Sequence, residues 1–212
     1  MNTDDFIATL SADAALKGPS LRRRLAFALA LGACVSLALF MGLIGPRPDA
    51  AQAMHTVRFD LKFVDTLVLL APAFFLCLRL ARPQTTPGAL LGWLLAPVAL
   101  LAGAVVVELA TVPQDQWIAK LIGTNVKHCL TLVPLFALPP LAALILALRE
   151  GAPSYPGLTG ALAGATAAGV SATFYATNCT DDSPLFVATW YPLATGFVMA
   201  LGALAGRRWL RW

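Results

Sequence analysis

The sequence predicts an all-α polytopic membrane protein, a bundle of six transmembrane helices preceded by a short cytoplasmic helix. Of the 212 residues, 58% are hydrophobic and only 12% are charged, which is about half the charged fraction of an ordinary soluble domain. The charges are gathered in short clusters between apolar runs of roughly 18 residues or more, the length that a bilayer core requires. Both observations favour a membrane domain without a separate soluble domain.

Six apolar runs define the predicted spans and divide the chain into three parts. The runs are residues 25–44, 63–80, 89–112, 130–148, 158–177 and 185–206. Residues 1–24 then form a cytoplasmic amino-terminal segment, residues 25–206 the transmembrane domain and residues 207–212 a cytoplasmic tail.

The distribution of Lys and Arg predicts the orientation of these spans. The two ends of the chain and the second and fourth connections together carry Lys17, Arg22, Arg23, Arg24, Arg79, Arg82, Arg149, Arg207, Arg208 and Arg211. The first, third and fifth connections carry half as many: Arg47, Arg58, Lys62, Lys120 and Lys127. Because cytoplasmic connections are enriched in Lys and Arg, both termini are predicted to be cytoplasmic. The net charge of +4 reflects this asymmetry and does not indicate nucleic-acid binding.

Small residues and prolines predict how the helices pack. Gly160 and Gly164 in the fifth run, and Gly202 and Gly206 in the sixth, are spaced by four residues, which lets helix backbones approach closely in lipid. Prolines 134, 139 and 140 interrupt the fourth run, and each removes a backbone donor. A kink near the middle of the fourth helix is therefore expected.

Residues 3–17 predict a short amphipathic helix. Thr3 suits its N-cap, and Gly18 with Pro19 ends it. Its apolar face carries Phe6, Ile7, Leu10 and Ala14, and acidic Asp4 and Asp5 precede that face. A helix of about fifteen residues is marginal alone in water. It is expected to pack on the membrane, on the bundle or on a basic protein partner.

Two carboxylates lie close to the predicted outer ends of their spans. Asp65 and Glu108 are each about one turn inside the second and third runs. Charges in hydrocarbon are costly and often functional. The two are expected either to be hydrated or paired with Lys62 or Lys120, or to form a polar outer pocket.

Two cysteines fall at the same predicted outer face, at helix ends where both are expected to be accessible from the periplasm. Cys129 follows His128 directly before the fourth run, and Cys179 lies in the polar segment 178–184 before the sixth. In a periplasm two thiols can form a lasting disulfide, and His128 and Asp181 could lower a thiol pKa or join the thiols as metal ligands. Asp181 and Asp182 also suit the dipole of the sixth helix, with Ser183 as its cap and Pro184 at its first position. No C-x-x-C motif is present, so a dedicated redox or zinc site is not predicted.

Several segments resemble the NrsF family, negative regulators of sigma F in the bacterial inner membrane. They include residues 3–7, 128–141, 148–153, 179–186 and the Trp190-Tyr191 pair, and the Cys-x-Asp-Asp-Ser-Pro segment is the most specific. The resemblance implies a six-helix sensor that holds an extracytoplasmic-function sigma factor inactive at the membrane. It also implies that Cys129 and Cys179 sense oxidative or heavy-metal stress in the periplasm. From their positions in the sequence, His128, Asp181 and Asp182 are the supporting polar groups of that outer face.

The predicted function is therefore that of a signal-transducing anti-sigma factor without catalytic residues, a cofactor or a resident metal. Its expected partners are the sigma factor and membrane lipid, with no direct contact to nucleic acid. The sigma factor is expected to bind Asp4, Asp5, Phe6, Ile7 and Leu10. Two alternatives are a membrane thiol oxidoreductase that uses a quinone and a small transporter that uses Asp65 and Glu108.

Overall fold

The computed structural model describes residues 2–5, 7 and 20–211, and at position 90 it describes the backbone alone. Its α-helices from residue 20 onward are α1 (Leu21–Leu43), α2 (Ala50–Ala53), α3 (Val57–Leu80), α4 (Leu95–Thr111), α5 (Trp117–Ile122), α6 (Val126–Leu148), α7 (Pro156–Ala176) and α8 (Pro184–Trp209). Short 3-10 helices, Gly88–Leu94 and Gln114–Gln116, precede α4 and α5. The all-α prediction is confirmed for these residues.

Five segments of the described chain are helical, long and apolar enough to cross a membrane: Leu21–Leu43, Val57–Leu80, Leu91–Thr111, Gln114–Leu148 and Pro184–Trp209. They correspond to five of the six predicted runs, with bounds that differ from those of the runs. The remaining run, residues 158–177, does form a helix of membrane-spanning length, α7, but its many Gly, Ala, Ser and Thr residues make it less apolar. Several helices are longer than their runs, because a helix continues through polar residues at the bundle ends. Thus α3 begins at Val57 and includes Lys62, and α8 includes Arg207 and Arg208.

The long helix that is rich in small residues lies at the centre of the bundle. In α7, 15 of the 21 residues are buried, and this helix packs against α1, α3, α6 and α8. A Cβ atom added to Gly160 would overlap the backbone oxygen of Gly202 and lie 2.9 Å from the Cα atom of Gly206. The predicted close approach of these two helices is therefore confirmed. Small residues at the centre are a packing requirement, since a larger side chain would separate the backbones.

A serine of a neighbouring helix bonds one of the carbonyl oxygens that the prolines of α6 leave without a donor. The helix continues without a break from Val126 to Leu148 through Pro134, Pro139 and Pro140, so the expected kink stays a prediction. Pro140 has no N–H to give to the carbonyl oxygen of Phe136, four residues earlier. The hydroxyl of Ser36 on α1 donates to that oxygen instead, at 2.7 Å. Ser171 on α7 also donates to a carbonyl oxygen of α6, that of Val133, at 2.6 Å, although the residue four positions later, Ala137, does have an N–H.

The six long helices alternate in direction, so their connections meet at two opposite ends of the bundle. At one end, which we call the arginine end, Arg24 pairs with Glu150, and the backbone N–H of Gln84 donates to Ser154. At the other end, called the cysteine end, the backbone N–H of Arg47 donates to the carbonyl oxygen of Thr177. The charge clusters counted in the sequence are thus separated in space as well.

Candidate functional site

Cys129 and Cys179 lie in one hydrophobic cluster at the cysteine end. Cys129 is in the first turn of α6, and Cys179 lies three residues beyond the last residue of α7. Both side chains are 0% exposed, and both are free thiols. The cluster also contains Leu101, Val133, Ala172, Tyr175, Phe186, Val187, Tyr191 and Ala194. The structure therefore brings the two predicted residues into the same part of the core.

The expectation that both thiols are accessible from outside is wrong for this structure. The backbone N–H of Cys179 donates to the carbonyl oxygen of Tyr175, at 3.0 Å, so the chain continues the turn of α7 and directs Cys179 inward. Its thiol contacts the carbonyl oxygen of Asp181 at 3.8 Å. A reagent from water reaches these sulfur atoms only after the loop of residues 178–183, called the cysteine loop, has moved.

The cysteine loop is held by two cations from other helices. The Lys62 ammonium donates to the carbonyl oxygen of Cys179 at 2.8 Å and pairs with the Asp182 carboxylate at 2.5 Å. The Arg47 guanidinium makes the same two contacts, at 3.2 Å to Cys179 and 3.0 Å to Asp182. Both cations also lie near the ring of Phe59, at 5.0 Å for Lys62 and 5.2 Å for Arg47. The backbone of Cys179 is thereby tied to α3 and to the chain after α1.

Asp181 ties the same loop to the beginning of α6. Its Oδ2 accepts hydrogen bonds from the backbone N–H groups of Thr124 and Asn125, at 2.8 and 2.7 Å, and from the Asn125 amide at 2.9 Å. Gly123 has a φ of +60°, and an added Cβ would lie 2.7 Å from Asp181. The sequence predicted Asp181 beside the dipole of the last helix, but its carboxylate serves α6 instead, because the loop folds back across that helix.

Ser183 and Pro184 begin α8 as predicted, but the Ser183 side chain does not cap it. Ser183 is the N-cap residue and makes no side-chain cap hydrogen bond. Its hydroxyl donates to Glu108 on α4, at 3.1 Å. Glu108 also pairs with Arg58 at 2.6 Å and lies 3.9 Å from Lys120. The expected pairing of Glu108 with Lys120 is thus present, with Arg58 as the closer partner.

Asp65 differs from Glu108 in having no cationic partner in the part of the chain that the structure describes. It is buried, and its Oδ1 has no hydrogen-bond partner among the described residues. Lys62, three residues earlier, is directed to Asp182 instead. Of the alternatives that the sequence left open for Asp65, pairing with Lys62 is not found, because the cysteine loop supplies the lysine with a carboxylate and a carbonyl oxygen at once.

The surroundings of Cys179 do not activate its thiol. Burial raises the pKa of Cys179, and this outweighs the opposing effects of Lys62 and of the hydrogen bonds with Asp181 and Tyr175. The idea that His128 and Asp181 lower a thiol pKa is thus wrong for Cys179, since the charge of Asp181 raises it further. His128 is exposed whereas Cys129 beside it is buried, because successive residues of a helix point about 100° apart.

The described residues contain no group of three or more His, Cys, Asp or Glu side chains able to hold a metal ion. A polar cleft of about 470 Å³ opens beside the cysteine loop. Its lining includes Arg58, Lys120, Thr124, Thr180 and Asp181. The cleft exposes the outer side of the loop, and the thiols lie behind it.

Part of the predicted sigma-factor contact lies outside the described residues. This applies to Phe6 and Leu10. Asp4, Asp5 and Ile7 are described, are helical and are exposed.

Sequence reasoning missed Arg47 and Lys62 as the partners of the cysteine loop. The sequence offers Asp65 as one possible partner of Lys62, because the two are one turn apart on the same helix. The carboxylate that Arg47 and Lys62 share is that of Asp182, which is 120 positions from Lys62 and 135 from Arg47. No local pattern connects residues at such separations. The relevant signal in the sequence is that the outer connections contain both cations and the carboxylates of Asp181 and Asp182.

The fold is that of a helical protein with five segments long and apolar enough to cross a membrane, and at its cysteine end the buried cations Lys62 and Arg47 hold one loop. The family model described as "Negative regulator of sigma F", NrsF, matches residues 10–212. The "Anti-sigma-F factor NrsF" of Caulobacter vibrioides is 36% identical over the full length of both chains. The "Probable anti-sigma-F factor NrsF" of Azospira oryzae is 31% identical, again over both full lengths.

The chain belongs to the NrsF family, which confirms the resemblance. It is accordingly a regulator and not an enzyme, which removes the oxidoreductase alternative. No solved structure matches the chain.

Proposed function

We propose that this protein is an anti-sigma factor of a bacterial inner membrane that releases its sigma factor when stress acts on Cys129 and Cys179. The name of the Caulobacter relative supplies the partner, a sigma factor. The observation that carries the sensing part is the shared burial of both thiols beneath a loop tied to several helices. A chemical change at either thiol then has to disturb that loop and its attachments.

In this proposal all six long helices cross the membrane, with the arginine end in the cytoplasm and the cysteine end in the periplasm. Because α7 is shielded from lipid by four other helices, its lower hydropathy is compatible with a membrane position. Ten of the fifteen Lys and Arg residues then belong to the cytoplasmic side, as the positive-inside rule expects.

The stress reaction is proposed to convert the two thiols into a disulfide. Each sulfur loses one electron and one proton and an S–S bond forms. Hydrogen peroxide accepts both electrons and both protons, its O–O bond breaks, and two molecules of water leave. Binding of a thiophilic metal ion is the other form of the signal, in which the thiols release protons and coordinate the metal as thiolates. Either product replaces two buried thiols by a larger or more constrained group.

The proposed route of the signal follows the contacts of the cysteine loop. Opening the loop separates Asp182 from Lys62 and Arg47, and Asp181 from the beginning of α6. Such coupling requires two helix arrangements, one favoured by free thiols and the other by the modified pair. The buried, clamped arrangement is the one proposed to retain the sigma factor.

The proposed sigma-factor contact is the amino-terminal segment, residues 3–17. Asp4 and Asp5 would meet basic residues of the sigma factor, and Phe6, Ile7 and Leu10 would enter an apolar groove, the usual way an amphipathic helix binds. The family model begins at residue 10, so this assignment depends on the charge and periodicity of the segment. The connections over residues 79–88 and 149–157 are the next candidates at the arginine end.

The cysteines are tested by comparing their serine variants in cells that carry a sigma-dependent reporter. Cys129→Ser and Cys179→Ser should each retain the sigma factor in pull-downs from native membranes and fail to release it on peroxide or metal stress. Cys34→Ser and Cys77→Ser are matched controls, and both should respond normally. Normal induction in either of the first two variants would refute sensing by the pair.

The contact is tested by Phe6→Ala combined with Leu10→Ala. The sigma factor should no longer co-purify and the reporter should be active without stress, while the amount of membrane protein stays normal. Unchanged repression would move the contact to one of the two other connections. If the sigma factor failed to co-purify with the unmodified protein, the anti-sigma function itself would be refuted.

A further inference from the structure

A long apolar groove runs between α6 and α8 on the outside of the bundle, far from the cysteines. Its volume is about 650 Å³. Nine apolar or aromatic side chains and two arginines line it: Leu138, Leu141, Ala142, Ile145, Leu146, Arg149, Leu201, Leu204, Ala205, Arg208 and Trp209. None of these side chains belongs to the cysteine site or to the proposed amino-terminal sigma-factor contact.

The dimensions of the groove match one leaflet of a bilayer. From Leu138 to Arg149 it follows α6 for eleven residues, which corresponds to roughly 16 Å of helix. The hydrocarbon core of a bilayer is about 30 Å thick, so the groove extends from the arginine end to approximately the middle of the membrane. A soluble partner does not reach that depth, whereas an acyl chain occupies it.

The charges at the open end of the groove match a phosphate group. Arg149 and Arg208 are both exposed, and neither has an ion pair or hydrogen bond from its side chain among the described residues. Glu150, the nearest acidic residue in the sequence, is paired with Arg24 instead. Two guanidinium groups without acidic partners therefore stand at the headgroup level, beside Trp209, whose side chain is of the kind that anchors at membrane interfaces.

We propose that this groove is a binding site for one anionic phospholipid, with an acyl chain along α6 and α8 and the headgroup phosphate between Arg149 and Arg208. A second copy of the chain is a poorer occupant, because its own arginine end would bring like charges together. Basic pockets between transmembrane helices are a known way of holding anionic headgroups. The site does not depend on the sigma-factor contact or on the cysteines.

The headgroup is tested with the purified full-length protein in mixed micelles that contain equal amounts of phosphatidylglycerol and phosphatidylethanolamine with identical acyl chains. Native mass spectrometry should show phosphatidylglycerol bound in preference, by a factor on the order of ten. Arg149→Gln with Arg208→Gln should remove most of that preference. Arg22→Gln with Arg23→Gln changes the same charge at the same end of the bundle, away from the groove, and should preserve it.

The apolar part is tested by Ala142→Phe, which fills the groove without changing charge. This variant should reduce the retention of both lipids, while Ala38→Phe, at an exposed position of α1, should not. Equal binding of the two lipids to the unmodified protein would overturn the proposal, as would an equal effect of the two arginine pairs. If the protein bound lipid only after residues 2–19 had been removed, the proposal would also be overturned, because the groove would then hold the chain's own amino-terminal segment.

Discussion

The ammonium group of Lys62 lies 2.5 Å from the carboxylate of Asp182, and this lysine side chain is 0% exposed. The same ammonium donates to the carbonyl oxygen of Cys179. A buried cation is costly unless its charge and its donors are satisfied. The pair therefore makes the position of the cysteine loop depend on α3.

Replacing Lys62 by Met should loosen the loop. Asp182 keeps Arg47 as a partner, but the Cys179 carbonyl loses its closer donor, and we expect the protein to be destabilised by about 3 kcal/mol. Thermal unfolding in detergent measures this loss. Lys127→Met, at an exposed position of the same end, is the matched control and should leave the melting temperature unchanged. Equal stability of the two variants would contradict a structural role for the pair.

The raised pKa of Cys179 predicts slow reaction with thiol reagents. Because burial favours the protonated thiol, less thiolate is present at a given pH. The buried neutral thiol contributes to the free energy of unfolding at low pH, and this contribution is lost as pH rises beyond the ordinary thiol pKa. In single-cysteine variants, alkylation of Cys179 between about pH 7 and pH 9 should be at least tenfold slower than that of a cysteine introduced by Lys127→Cys. Both should react alike after denaturation. Comparable rates in the folded protein would mean that the loop is open without stress.

The contact between α7 and α8 predicts different effects on stability for two glycine substitutions. Gly160→Ala places a methyl group against the backbone of Gly202 and should destabilise the bundle by about 1–3 kcal/mol. Gly196→Ala lies on α8 with nothing within 4 Å of the added atom, and should be neutral or slightly stabilising because alanine favours helix. Thermal unfolding of both variants provides the comparison. A stable Gly160→Ala protein would show that the helices can separate freely.

Ser36 predicts an energetic coupling with Pro140. Ser36→Ala leaves the Phe136 carbonyl oxygen without its donor and should cost about 1 kcal/mol. Pro140→Ala restores a backbone N–H for that oxygen, so Ser36→Ala should cost less in the Pro140→Ala background. A double-mutant cycle measured by unfolding gives the difference. Additive effects would show that the two residues act independently.

The orientation proposed for the bundle predicts the location of fused reporters. A reporter that is active only in the periplasm should be active when inserted within residues 50–54 and inactive when fused after residue 212. The same pair of fusions with a cytoplasm-specific reporter should give the reverse. Activity at both positions would exclude an even number of crossings.

The sequence by itself determined the helical class, the approximate position of every long helix and the family. Apolar runs of membrane length and the segregation of Lys and Arg are local or compositional signals, and the short motif around Cys179 is specific enough to indicate NrsF. The glycine spacing on α7 and α8 likewise predicted their contact, because four-residue spacing places both glycines on one helix face.

Only the tertiary structure decided what surrounds the two cysteines. The positions of Cys129 and Cys179 at helix ends predicted exposed thiols, yet both are buried. The cysteine loop turns inward after α7, where Lys62 and Arg47 hold it and Asp181 binds it to α6. Those partners lie far apart in the chain, and Lys62 had a closer candidate in Asp65. The choice among competing partners depends on which helices pack side by side, and that packing is a property of the whole bundle rather than of any segment.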